Sequence, residues 1–214
     1  MIKPSWSLEN AVEIQKEAPY TFYRPSDDVI SRLKPGEATV KLIFYFERDE
    51  PDLPSAERMW VLMEAINDDG TYTGKLDNDP FYIKDLKAGD EVRFGREHII
   101  QYQTLDDELD TADTEPDNLQ QYLKRCYVSN QIMQEGYKAG RLYREDPENE
   151  KETGWTLLSN HESQEYVDDP DNLQYIAIGK VLNIDDSFIH LLDMPTGSDY
   201  ARDELTGTFY LVEE

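Results

Sequence analysis

Apolar positions along the chain gather into short runs, most of them with a two-residue beat. Thr39–Glu47 (TVKLIFYFE) is dense in branched and aromatic residues, and Arg58–Ile66 repeats the pattern, so both predict strands. Asn67-Asp-Asp-Gly70 reads as a turn leading into a further strand, TYTGKL. Leu86–Phe94 (LKAGDEVRF) has the turn-then-strand character of a small barrel, with Gly89 supplying the tight turn, and Ile99-Ile-Gln-Tyr102 closes the set. Helical spacing is brief in this half. Residues 5–18 fit a short helix with Ser7 as N-cap and Leu8, Ala11, Val12 and Gln15 on neighbouring turns. A second helix starts at Ser26 or Asp27 and stops before Lys34-Pro-Gly36. In the second half, Cys126–Ser129 reads as a strand. Ser129 caps a helix that Gly136 ends. Strands follow at Arg141–Arg144, Gly154–Leu158, Ile189–Met194 and Thr206–Val212. A helix is expected over Pro170–Lys180, with Asp168 and Asp169 at its positive end.

Between these halves, residues 104–118 (TLDDELDTADTEPDN) hold no basic residue and almost no large apolar one. The pattern therefore predicts an α+β chain of two small domains, each a bent antiparallel sheet with one or two short helices. Residues 1–103 form an uncharacterised domain with a barrel-like sheet, 104–118 an acidic linker, and 119–214 the second domain.

Charge changes the picture more than composition does. The net charge is −25 over 214 residues. Residues 1–103 carry 13 basic against 20 acidic side chains, 104–118 none against 7, and 119–214 8 against 19, so the acidity is spread over the whole chain. A field of that sign repels nucleic-acid phosphate and anionic membrane surfaces and attracts basic partners. Its plain reading is solubility; its sharper one is an acidic face that meets a cationic protein. The N-terminal MIKPSWSLENAVEIQKEAP lacks an apolar core, no run approaches a membrane span, and the one cysteine, Cys126, excludes an internal disulfide. These features predict a cytoplasmic protein with no membrane or nucleic-acid partner.

Catalytic signatures are missing. His98, His161 and His190 are scattered, none in a zinc-type spacing, and no phosphate-binding glycine loop or nucleophile elbow occurs. Asp168-Asp-Pro-Asp-Asn172 resembles a calcium loop only superficially, lacking its glycine and distal glutamate. No catalytic residue, metal or cofactor is expected, and Cys126 reads as a buried small hydrophobe. What remains is aromatic: Tyr137, Tyr143, Trp155, Tyr166, Tyr175 and Tyr200 fall in the second half. Strand alternation turns part of such a set inward and leaves the rest for an interface.

Val128-Ser-Asn130, the run Gly136–Pro147 (GYKAGRLYREDP), Thr153-Gly-Trp155, Glu165–Asn172 (EYVDDPDN) and Pro195–Arg202 (PTGSDYAR) arrive in an order that resembles one family. It is the thirty-third immunity-protein family of bacterial polymorphic toxin systems, and the resemblance covers roughly residues 122–205. One departure is conservative: Glu152-Thr153 stands before Gly-Trp where Asp-Ser is the family pattern. Residues 57–66 (ERMWVLMEAI), 74–80 (GKLDNDP), 86–94 and His98-Ile-Ile100 resemble a second uncharacterised bacterial domain that accompanies immunity modules. These resemblances imply a non-catalytic immunity protein that neutralises a cognate toxin, itself basic, by stoichiometric binding. Tyr143, Arg144, Trp155, Asp168 and Asp169 are the candidate partner-binding residues. The competing expectation is a regulatory or small-ligand or peptide module, with Trp60 and Tyr72 of the first sheet near its ligand.

Overall fold

The computed structural model describes residues 4–48, 52–106, 109 and 117–212. The acidic stretch expected as a linker, 104–118, lies largely outside these residues. The chain divides into two compact units, Met1–Glu17 with Phe22–Glu115, and Ala18–Thr21 with Pro116–Glu214. Both are α+β, as the pattern predicts.

The first unit holds strands β1 (Trp6–Leu8), β2 (Ala38–Phe46), β3 (Ala56–Ile66), β4 (Tyr72–Leu76), β5 (Glu91–Phe94) and β6 (Ile99–Thr104), with helices α1 (Ala11–Glu17) and α2 (Asp27–Arg32). The order is β1-β2-β3-β4-β5, and β6 also pairs with β2. All pairings are antiparallel. One edge of β2 is shared by β6 at its start and β1 at its end, across a register shift at Lys41/Leu42, so the sheet curls. Val40, Leu42 and Phe44 of β2 and Met59, Val61 and Met63 of β3 point into the curl and form the core with Leu76, Val92, Phe94 and Ile99. Ile43 and Ile100 face the opposite side, where Ala11 and Ile14 of α1 cover them.

The N-terminal helix begins later than the spacing predicts. Trp6–Leu8 pairs with Phe46–Phe44 as a strand, Ser5 is tied to the Asp85 carboxylate, and Asn10 rather than Ser7 caps the helix, accepting from the Val12 amide at 2.9 Å. Ser26 caps α2 as expected. Within the runs that suggested the second bacterial domain, mostly strands, a few residues brace turns. The Glu57 carboxylate accepts from the amides of Phe81, Tyr82 and Ile83 at 2.6–3.1 Å. Asn78 and Asp79 accept from Trp60 and Ala88, and Gly89 turns at φ 86°.

The second unit holds β7 (Arg125–Ser129), β8 (Arg141–Arg144), β9 (Glu152–Leu158), β10 (Leu173–Ala177), β11 (Asp199–Arg202) and β12 (Phe209–Leu211). Its helices are α3 (Asp117–Tyr122), α4 (Asn130–Glu135), α5 (Gln164–Asp168) and α6 (Ile178–Leu182). The sheet order is β10-β7-β9-β8-β11-β12, antiparallel except for the parallel pair β7–β9. Cys126, Val128, Leu142 and Leu157 form the buried side with Ile132, Ile178, Val181 and Leu182. Burial pushes the Cys126 thiol up to about 12, consistent with an inert core residue. Ser129 and Gly136 cap α4 at its two ends, Gly136 at φ 82°.

Two expectations fail here, each for its own reason. The helix predicted over Pro170–Lys180 is a 3₁₀ turn at Pro170–Asn172, then strand β10, then α6. Leu173–Ala177 has an open edge of β7 to pair with, and that ladder outweighs local helix preference. The strand predicted at Ile189–Met194 is a 3₁₀ turn at Ile189–Leu191, because burying Phe188 and Leu191 together needs a three-residue period.

Ala18–Thr21 belongs to the second unit although its neighbours on both sides belong to the first. The Tyr20 amide donates to Asn183 Oδ1 at 3.0 Å, its hydroxyl to Asp186 Oδ2 at 2.9 Å, and Asn183 Nδ2 to Thr21 Oγ1 at 2.7 Å. Burial, and then the Asp186 hydrogen bond, raise the Tyr20 hydroxyl pKa. The Tyr20 ring sits edge-on to Tyr122 at 5.3 Å. A Cβ on Gly179 would come within 2.6 Å of the Tyr20 carbonyl oxygen, so this strap needs a glycine beneath it. Gly179→Ala is expected to lift the strap at a cost of about 1–3 kcal/mol. Faster exchange of the Tyr20 amide, with the Val61 amide unchanged, is the measurement that checks it.

Candidate functional site

The Thr-Gly-Trp step is a bulge in β9. Arg125 pairs with Glu152 and Tyr127 with Thr156, so one residue of β7 faces three of β9. Gly154 turns at φ 76°, and a Cβ there would lie 2.1 Å from the Glu145 carbonyl oxygen. Thr153 Oγ1 donates to the Arg125 carbonyl at 3.0 Å and accepts from the Trp155 amide at 3.1 Å. The detour turns Trp155 inward, to 1% exposure.

Arg144 sits opposite Trp155 in the ladder, its guanidinium 5.7 Å from the indole centre. Its Nε donates to the Thr153 carbonyl at 3.0 Å, and Nη1 to the carbonyls of Leu192, at 3.2 Å, and Met194. Trp155 Nε1 also donates to the Leu192 carbonyl, at 3.2 Å. The two residues clamp the 189–195 turn from below. Of the five sequence-nominated residues, Trp155 is buried, Tyr143 and Arg144 are half-buried, and Asp168 and Asp169 are exposed.

In-register residues of neighbouring strands share one face of a sheet. Tyr175, Tyr127, Thr156, Tyr143 and Asp199 are opposed in sequence across β10, β7, β9, β8 and β11. They form a row across the face opposite the core. Tyr127 is 46% exposed, and its ring centre lies 5.1 Å from that of Tyr175. Arg141 grips Asp199 with two hydrogen bonds of 2.7 and 3.2 Å, and that contact raises the Arg141 pKa.

Two concavities open on this face, and Glu145 lines both. A groove of about 730 Å³ lies along Tyr143, Arg144 and Asp199, with Glu162, Gln164 and Val167 from the α5 region on its other wall. Burial raises the Glu162 pKa, but hydrogen bonds from Ser129 and Ser159 outweigh it and hold the carboxyl below its ordinary value. A smaller hollow of about 240 Å³ is lined by Arg125, Tyr127 and Tyr175, with Glu145, Asp146, Glu148 and Glu152 around it. The Tyr175 hydroxyl donates to Glu152 at 2.6 Å, which raises the phenol and lowers the carboxyl.

Asp168 and Asp169 are exposed at the end of α5. Asp168 accepts from Gln164, and Asp169 caps the following 3₁₀ turn, accepting from Asp171 at 3.0 Å. Trp60 and Tyr72 of the first unit serve its sheet: Lys41 lies 4.4 Å over the Trp60 ring, and Tyr72 is buried against Phe94. Tyr175 is one of the aromatics that the sequence offers for an interface, whereas Tyr127 and the 145–152 carboxylates escape sequence reasoning. Alternation in Arg125–Ser129 marks Tyr127 as opposite to Cys126, but nothing local pairs it with a residue assigned to a helix.

One buried ion pair holds the face in place. Arg202 Nη1 donates to Asp185 Oδ2 at 2.8 Å, and Asp185 also accepts from the amides of Ala139 and Ser187. Burial acts to raise the Asp185 pKa, but hydrogen bonds from Ser187 and Arg202 outweigh it and lower it overall. A depressed native pKa gives stability that is full above the ordinary aspartate value of about 3.9 and is lost as pH falls through the native value. The stability gap between the wild type and Asp185→Asn is therefore expected to narrow as pH drops from 6 toward 3. Urea midpoints measured across that range check this.

Among the described residues no group of His, Cys, Asp or Glu is placed to hold a metal ion, and no helix is long and apolar enough to cross a membrane. Residues 6–113 match the model of a family described as uncharacterized protein conserved in bacteria (DUF2314). Residues 126–213 match the Immunity protein Imm33 domain. No curated protein and no solved structure matched the chain.

Proposed function

We propose that this chain, which belongs to the bacterial family DUF2314 and carries an Imm33 immunity domain, binds a cognate toxin and neutralises it without chemistry. The observation that carries this reading is a coincidence of place. The stretch matched to the immunity domain, residues 126–213, builds a sheet whose face opposite the core displays tyrosines and carboxylates around two concavities. Tyrosine supplies large contact area for few rotatable bonds, and the acidic rim selects and steers a basic partner.

In this proposal Tyr143 contacts the toxin from the groove, while Asp168 and Asp169 extend the acidic edge at the end of α5. Arg144 and Trp155 fix the strand beneath Tyr143. The toxin is basic, the complex is stoichiometric, the chain works in the cytoplasm, and occlusion of the toxin's active cleft is the mechanism.

Co-expression with the toxin domains of its own bacterium, with and without the chain, tests the role. Restored growth together with a complex that weakens between low and moderate salt is the expected result. Protection without a complex, or a complex indifferent to salt, overturns it. Tyr143→Ala with Asp168→Lys and Asp169→Lys is expected to abolish protection while the fold is kept. If protection survives in that variant, the face is wrong.

A further inference from the structure

We propose that the hollow between β7, β9 and β10 and the 145–148 turn is a recognition pocket for a lysine or arginine side chain of the partner protein. This deepens, and rests on, the immunity reading. At about 240 Å³ the hollow falls below the range of roughly 300–1,000 Å³ typical of small-molecule sites, and it suits a single side chain.

Its floor is aromatic. Tyr127 and Tyr175 lie 5.1 Å apart, and the chain's own Arg125 guanidinium lies 5.2 Å from the Tyr175 ring centre, so a ring of this pair already receives a cation. No cation of the described residues lies over Tyr127, which is 46% exposed.

The rim is acidic, with Glu145, Asp146, Glu148 and Glu152 lining the same hollow as the two tyrosines. Glu152 is occupied by the Tyr175 hydroxyl and the Glu148 amide. Unlike Glu152, the carboxylates of Glu145, Asp146 and Glu148 make no hydrogen bond or ion pair among the described residues. Three uncommitted carboxylates beside a tyrosine floor favour a desolvating cation and disfavour an anion or a neutral chain of the same shape.

Titration of the 214-residue chain with N-acetyl-arginine amide, followed by amide and tyrosine-ring resonances, tests the pocket. Its citrulline counterpart, equal in shape but uncharged, is the control. The expected result is a saturable shift centred on Tyr127 and Tyr175 with the arginine probe and none with citrulline. Glu145→Gln with Asp146→Asn and Glu148→Gln should weaken arginine binding about tenfold, and Tyr127→Ala about threefold. Shifts spread evenly over the acidic surface, or unchanged binding by the triple variant, overturn the proposal. The toxin complex separates the two levels. If the triple variant binds toxin as tightly as the wild type, the pocket assignment falls and the immunity reading stands. If wild-type chain binds no toxin while the pocket still selects arginine, the immunity reading falls and the pocket's cation specificity stands.

Discussion

Arg202→Ala is expected to destabilise the second unit by about 3–5 kcal/mol, the range for stripping one partner from a buried ion pair. An exposed pair would matter little, at about 0–1 kcal/mol, so burial decides the magnitude. Here the side chains of Arg202 and Asp185 are only 14% and 6% exposed. The guanidinium also donates to the Ala139 carbonyl at 3.1 Å, to Ser187 Oγ at 2.9 Å and to the Gly207 carbonyl at 3.2 Å. Removing it leaves a buried carboxylate facing unpaired carbonyls. Arg202→Lys keeps the charge but cannot reach all of these acceptors at once, so its loss falls between wild type and alanine. Hydrogen exchange at core amides such as Val128 and Leu142 isolates this unit's stability from the other's. A loss below about 1 kcal/mol would show that the pair behaves as a surface contact.

Gly154→Ala is expected to cost about 3 kcal/mol from two separate sources. A left-handed backbone costs a non-glycine residue roughly 1–2 kcal/mol. The new Cβ also meets the carbonyl oxygen of Glu145 at 2.1 Å, a residue just past β8 whose amide donates to the Gly154 carbonyl at 3.0 Å, and overpacking of that kind adds about 1–3 kcal/mol. Gly136 separates the two terms: it has φ 82° with nothing within 4 Å of its Cβ, so Gly136→Ala carries only the backbone cost. Thermal unfolding of the two variants should therefore rank Gly154 well below Gly136. The damage at Gly154 should also spread to the Trp155–Arg144 clamp, visible as a change in indole fluorescence. Equal melting points for the two variants would mean that the bulge yields without cost.

What the sequence discloses here is what is decided locally. The caps at Ser26, Ser129 and Gly136 need only their own turn, and each is where the pattern puts it. Strands β2 and β3 are legible because inward and outward residues alternate along them. The segment after Pro170 fails because its fate rests with β7, more than 40 residues away in the chain, as the Tyr175–Tyr127 pairing shows. The candidate face shares that division. Tyr143 could be picked out from its own strand, whereas the Tyr127–Tyr175 floor exists only once the strand order is known. Trp155 was legible as important, but its inward turn depends on a bulge set by the Glu145 carbonyl.

The strap at Ala18–Thr21 also constrains the order in which the protein can be finished on the ribosome. Its residues lie inside the stretch matched to one family, yet their hydrogen-bond partners lie inside the stretch matched to the other. Asn183 is made 163 residues after Tyr20. At synthesis rates of about 5–20 residues per second, Tyr20 waits roughly 8–33 s for that partner. Residues 18–21 are thus among the last parts to settle, and the second unit is incomplete without four residues translated before nearly all of the first.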